Sequence, residues 1–266
     1  MHIYCHATLN YTGAEDHEPT VVAIRNGHMQ APDPEQANFH LMAHVSAVRD
    51  WRDQQEVAST HGPEIAALAK TLTGCSHALV YEPLIRSPQT AKSHSDYAPI
   101  ESVHSDFTQD YRRMVTTPEH TYSGFLRPLL AANGLTYDDV IQAERIAVIQ
   151  FWRNIGHPRP DRPLAICDAS TAPLDHFIPV KVPTYGGQAL DFEAGLFRKP
   201  DPEDSHHWYT FPEMTRDEVL VFKTYDSGLE EVGRPFYTPH SAFVDPHAGE
   251  NAPKRESVEM RALCLF

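Results

Sequence analysis

After Arg145 the chain reads as a string of short β-forming runs, and that string constrains the fold more than any other feature. Residues 146–152 form an apolar run rich in β-branched and aromatic side chains. Comparable runs follow at 164–167, 177–182, 189–197, 207–211, 219–225, 236–244 and 257–266. Proline or glycine interrupts nearly every gap between them. Many short strands at such intervals predict a β-sandwich or barrel. The sharper expectation is a mainly β fold with α decoration, in which a double-stranded β-helix (a jelly roll, cupin-like) is flanked by helices.

The first hundred residues have a different texture. Within 34–74, Phe39, Met42, Val45, Val48 and Trp51 recur at helical spacing, and Pro63 opens a second run that Gly74 closes. A further helix is expected over 122–132, ended by Asn133-Gly134. The expected organisation is one domain over 1–266, with residues 1–100 as a helical accessory part and 101–266 as the jelly-roll core.

Charge and composition narrow the function. The chain carries 36 acidic against 22 basic residues, a formal net charge of -14, with no Lys/Arg cluster. Such a surface repels phosphate and argues against nucleic acid. No run of about 18 apolar residues exists to span a membrane. The opening residues lack the charged head and apolar stretch of a secretory signal. Cys5, Cys75, Cys167 and Cys264 are scattered without a Cys-x-x-Cys pair. They read as buried free thiols in a reducing, cytoplasmic compartment.

With 17 histidines, position must decide which ones matter. His104 and Asp106 lie two apart, so in an extended segment both side chains face the same way and can share one metal. Alone, this pair is as well explained by a surface histidine beside a capping aspartate. It gains weight from His240, at the start of a late run, because a jelly roll brings early and late strands together at its mouth. Two imidazoles and one carboxylate occupy one face of an octahedron and leave three positions open, the arrangement of non-haem iron(II) oxygenases. No thiolate stands near to favour structural zinc.

Arg255 and Ser257 alternate onto one face at the opening of the last run. A guanidinium with a neighbouring hydroxyl suits the far carboxylate of 2-oxoglutarate, whose keto-acid end chelates iron. Arg261, an even number of residues on, competes for that role. Trp152 and Arg153 are candidate substrate-binding residues, with Arg153 gripping an acidic group. The plain alternative is a core tryptophan beside an outward arginine. The polar segment 85–97, with Arg86, Lys92, His94 and Tyr97, reads as a loop near the site. The adjacent pair His206-His207 faces opposite ways in a strand and cannot easily hold one ion.

Several uncommon segments occur in order: His104-Ser105-Asp106-Phe107-Thr108, Phe151-Trp152-Arg153, Arg162-Pro163-Leu164-Ala165-Ile166-Cys167-Asp168, Trp208-Tyr209, residues 217–226, His240-Ser241-Ala242-Phe243 and Arg255-Glu256-Ser257-Val258-Glu259. Over residues 100–266 this resembles the asaB-type hydroxylase/desaturase family, with its gibberellin-desaturase-like and CmcJ-like proteins. The resemblance implies an Fe(II)/2-oxoglutarate-dependent dioxygenase of natural-product type. His104, Asp106 and His240 would be the metal ligands, and Arg255 and Ser257 the carboxylate anchor. Two departures stand out. Gln150 and Asn154 flank the Phe151-Trp152-Arg153 segment where the family pattern has other residues. The interval from His240 to Arg255 is long, and an inserted loop over 245–254 accounts for it.

The cofactors implied are Fe(II), 2-oxoglutarate as co-substrate and O2. The partner is a small-molecule substrate, to be hydroxylated, desaturated or cyclised. Helical decoration of such a barrel is compatible with a homodimer. The rival readings are a CmcJ-like methyltransferase-associated protein, a non-catalytic jelly-roll binding protein and a dioxygenase that needs no 2-oxoglutarate. The first lacks a glycine-rich turn in alternating β and α units.

Overall fold

The computed structural model describes residues 2–13 and 16–266. In chain order its strands are β1 (Ile3–Thr12), β2 (His17–Asn26), β3 (Phe39–Ala43), β4 (His77–Val80), β5 (Leu84–Arg86), β6 (His104–Ser105) and β7 (Ile146–Asn154). Then come β8 (Leu164–Cys167), β9 (Phe177–Tyr185), β10 (Gln188–Phe197), β11 (Trp208–Thr210), β12 (Glu218–Asp226), β13 (His240–Ala242) and β14 (Ser257–Leu265). One sheet has eight strands in the order β1-β2-β11-β8-β13-β6-β10-β9. The other runs β3-β12-β7-β14-β4, with β5 pairing the first part of β14. Pairing is antiparallel except between β2 and β11. One pocket takes His104, Leu164 and His240 from the first sheet and Arg86, Trp152 and Glu259 from the second, so the inner faces of the two sheets meet there. This is the expected mainly β, jelly-roll architecture.

The strands β7 and β14 are buried along almost their whole length, because both faces are covered. Alternation sorts their side chains. Ala147, Ile149, Phe151, Val258, Met260 and Ala262 join an outer core with Ile65 and Ala69 of the helix Gly62–Thr73. The opposite parity, including Trp152 and Glu259, looks into the pocket.

The N-terminal part departs from expectation. It is not a helical accessory: β1 and β2 extend the eight-stranded sheet, and β3, β4 and β5 belong to the other. The expected helix through Phe39 and Trp51 does not form. A single helical turn, Pro34–Ala37, ends at Asn38 with φ 61, and Phe39–Ala43 then pairs with β12. Phe39 and Met42 pack into different cores, as strand parity requires. Their helix-like spacing came from two faces of one strand, not one face of a helix. Expected helices do form at Gly62–Thr73, stopped by Gly74 at φ 72, and at Ser123–Ala132. The late run expected over 236–244 narrows to β13 alone.

Gly195 sits beside the short strand β6, opposite Ser105 and Pro179. A Cβ there would lie 1.9 Å from the Phe177 ring. That ring is stacked on Tyr237 with centroids 4.6 Å apart and meets Phe197 edge-on, so it has no room to retreat. Gly195→Ala is therefore expected to destabilise the protein by about 2–3 kcal/mol through overpacking. Thermal denaturation checks it, and an unchanged melting temperature would contradict the packing described.

Candidate metal centre

His104 and His240 are brought together by register: they are direct partners across β6 and β13. Their ring centroids are 4.3 Å apart. One ligand atom from each of His104, Asp106 and His240 falls within 4.8 Å of the others. Asp106 Oδ1 lies 3.7 Å from His240 Nε2. Each imidazole is oriented by a backbone carbonyl two residues earlier. His104 Nδ1 donates to the Ser102 carbonyl at 2.7 Å, and His240 Nδ1 donates to that of Thr238 at 3.0 Å. A carbonyl only accepts, so Nδ1 carries the proton and Nε2 keeps its lone pair for a metal.

The electrostatics keep the ligands in the metal-binding form. Burial, then the neighbouring His240, pushes His104 down to about 3. Burial likewise lowers His240. Burial opposes the Asp106 carboxylate, yet the Arg261 guanidinium, by its charge and its hydrogen bond, overcomes it and holds the carboxyl well below its usual range. The donor set is thus two neutral imidazoles and one carboxylate, which suits a divalent first-row metal with open positions.

The same pocket holds Arg255. Arg86 pairs with Glu259 and Arg261 with Asp106, whereas Arg255 forms no ion pair among the described residues. Its Nε is buried without a partner, and Nη1 makes only a long 3.4 Å bond to the Arg162 carbonyl. Burial, then the nearby Arg86 charge, lowers its pKa to about 9. Ser257 Oγ is also buried and unpartnered. A buried cation without a counter-ion is costly. These orphaned groups fit the far carboxylate of a bound dicarboxylate.

Trp152 lines the pocket, but Arg153 does not. As its strand neighbour, Arg153 points through the opposite face of the sheet. There it donates to the carbonyls of His44 and Arg216 and to His44 Nδ1, with its guanidinium 5.0 Å from the Trp51 ring. It is fully buried and cannot grip a substrate in this pocket. The period-two rule that paired His104 with Asp106 already separates Trp152 from Arg153.

Sequence reasoning missed Glu259 and the contact between Arg261 and Asp106, and it named Arg86 only as part of a polar loop. Glu259 accepts from Arg86, Arg261 and Gln150. Its signal was available, since it alternates between Ser257 and Arg261. Arg86 is a buried pocket residue that donates to the carbonyls of Asp96 and Ala98 and to Tyr185 Oη. The segment after it is a short helix, Pro88–Ser93, and a 3-10 turn, Ser95–Tyr97, in place of the expected loop. The contact between Arg261 and Asp106 joins residues 155 apart in sequence, which no local pattern shows.

A second group, His44, His61 and Glu64, also has metal-like spacing. Its bonds are already taken. Glu64 accepts from His61 at 2.8 Å and from Ser46 and the Ala47 amide, and Arg153 donates to His44 Nδ1. A cation in that position disfavours a metal ion.

Two buried histidines away from the candidate centre set a pH limit on stability. Burial lowers His61 to about 4, with Glu64 only partly offsetting it. Burial, then His176, lowers His206 to about 3. Both stay neutral in the fold, while the unfolded chain protonates them below about 6.5. Between those values the unfolded state binds more protons, so stability falls as pH drops and is fully present above about 6.5. Each is expected to cost about 2 kcal/mol at pH 5 relative to pH 7. Urea titrations at the two pH values check this, and equal midpoints would contradict it.

The comparisons with known proteins agree with this geometry. The family model described as Oxidoreductase/YMDC permease-like domain matches residues 5–265. The alpha-ketoglutarate-dependent dioxygenase phiK of a fungal species is 26% identical over 252 residues, covering 92% of this chain and 84% of that protein. The hydroxylase/desaturase efuI of Hormonema carpetanum is 28% identical, covering 86% of this chain and 77% of its own length. The hydroxylase/desaturase asaB of Aspergillus flavus is 34% identical over 46% of this chain. A solved structure of the iron and alpha-ketoglutarate-dependent endoperoxidase NvfI superposes with a TM-score of 0.80 at 22% identity, covering 100% of this chain and 99% of that one. No described helix is long and apolar enough to cross a membrane. The chain is similar to hydroxylase/desaturases and Fe(II)/2-oxoglutarate-dependent dioxygenases, and it belongs to the Oxidoreductase/YMDC permease-like family.

Proposed function

We propose that this chain is an Fe(II)- and 2-oxoglutarate-dependent dioxygenase that hydroxylates, desaturates or cyclises a small organic substrate. His104, Asp106 and His240 hold the iron, and Arg255 with Ser257 seats the far carboxylate of 2-oxoglutarate. The observation that carries this reading is a single pocket combining a two-histidine, one-aspartate set with a buried arginine that lacks a counter-ion among the described residues. When bound, iron with 2-oxoglutarate and dioxygen supplies the oxidising power, with succinate and carbon dioxide as co-products.

The protein's own groups supply placement. The Ser102 and Thr238 carbonyls aim the two imidazoles. Arg255 gives a dianionic co-substrate a fixed end, so the keto acid is delivered in one orientation. Trp152 forms pocket wall, and the Arg255 guanidinium lies 5.9 Å from its ring. Ile100 and Leu164 add apolar lining that limits water. The four cysteines are all buried and free, which supports a reducing, cytoplasmic setting.

An anaerobic titration tests the reading. Fe(II) followed by 2-oxoglutarate is expected to produce a weak visible charge-transfer band from chelation of the metal by the keto acid. Iron uptake without the band would remove 2-oxoglutarate from the proposal and favour a dioxygenase without that co-substrate. Absence of iron uptake would remove the metal centre.

A further inference from the structure

Arg261 is the arginine on the inner face of β14 that the co-substrate reading leaves without a task. Its Nε donates to Asp106 Oδ2 at 2.8 Å. The other carboxylate oxygen, Oδ1, faces His240 Nε2 at 3.7 Å. The two oxygens of Asp106 therefore have separate surroundings, one among the histidine nitrogens and one on a guanidinium. Arg261 is itself held, since its Nη2 donates to Glu259 Oε1 at 3.3 Å. Glu259 accepts from Arg86 Nη2 at 3.0 Å and from Gln150 Nε2 at 3.4 Å. Arg86 in turn is tied to two backbone carbonyls and to Tyr185.

The geometry points to Arg261 as a positioning residue that makes Asp106 a one-oxygen ligand, so that three coordination positions stay open for co-substrate and dioxygen. The inference rests on the reading that His104, Asp106 and His240 hold the metal. A free carboxylate can turn and chelate a divalent ion through both oxygens, which would occupy a fourth position. A charge-assisted bond from a buried guanidinium to Oδ2 opposes that turn. Glu259 balances the charge of Arg261, so the cation can stand this close to a metal site.

The test uses Mn(II) as the probe in the full-length protein without co-substrate. The readout is the number of exchangeable metal-bound waters, counted from the broadening of the Mn(II) paramagnetic resonance lines in oxygen-17-enriched water. Wild type is expected to show three waters. Arg261→Met is expected to lose one, as Oδ2 takes its place, and Arg261→Lys, which keeps a cationic donor, to retain three. Three waters in the Met variant, or two in wild type, overturn the inference while the metal site stands. A wild type that takes up no Mn(II) overturns the metal-site reading and the inference with it. If Arg261→Met does not fold, Glu259→Gln decides, because it loosens Arg261 without removing it. Fewer than three waters there support the inference, and three overturn it.

Discussion

Replacing His240 with alanine is expected to weaken iron binding on the order of 1,000-fold and to abolish 2-oxoglutarate turnover. Losing an outer-shell partner typically costs ~10–100-fold, and His240 is proposed as a direct ligand. The effect should be local. His240 meets Phe222 edge-on at 5.0 Å between ring centroids and bonds only its own chain at Thr238, so its removal leaves a small defect beside a large core. Metal titration of the variant, alongside thermal unfolding of the metal-free form, separates lost ligation from lost fold. A folded variant that still takes up iron with unchanged affinity would exclude His240 as a ligand.

Arg255 should behave in the opposite way toward stability. Arg255→Met removes the charge proposed to anchor 2-oxoglutarate, and the Michaelis constant for that co-substrate is expected to rise ~100-fold. That corresponds to about 2–3 kcal/mol, the scale of a hydrogen bond to a charged group. Yet the ligand-free protein should not suffer. Its buried guanidinium has an unpartnered Nε and no counter-ion among the described residues, so an apolar side chain of similar length is expected to leave the melting temperature equal or higher. A variant that loses stability while keeping its 2-oxoglutarate affinity would make Arg255 a structural residue and return the anchor to another group.

What the sequence made legible follows the reach of its patterns. Period-two alternation placed His104 and Asp106 on one side and grouped Arg255 and Ser257, with Arg261 an even number of residues on, on one face of the last run. The same rule, applied to Trp152 and Arg153, would have sent the arginine away from the pocket. The sequence reading instead leaves the pocket and outward placements of Arg153 side by side. The helix expected from Phe39 and Met42 onward failed for a related reason. Apolar residues three and four apart mark a helix only when they share one face, and a strand with two buried faces imitates them. The ends of elements were legible where a backbone geometry demands a residue type, as at Gly74. The sharing of Asp106 between a metal-facing oxygen and Arg261 was not legible, because only the folded sheets bring those residues together.

The pairing of β6 with β13 also bears on how the protein is made. These are among its shortest strands, of two and three residues, and they join segments far apart in the chain. So few ladder bonds cannot hold such a long loop closed by themselves, since closure entropy is met only when neighbouring strands lock in. The two imidazoles thus become neighbours at a late stage of assembly. On the proposed ligand set, a nascent chain lacks the third ligand until His240 has emerged. Half-made chains that stop short of His240 would on that ligand set be kept from completing an iron site.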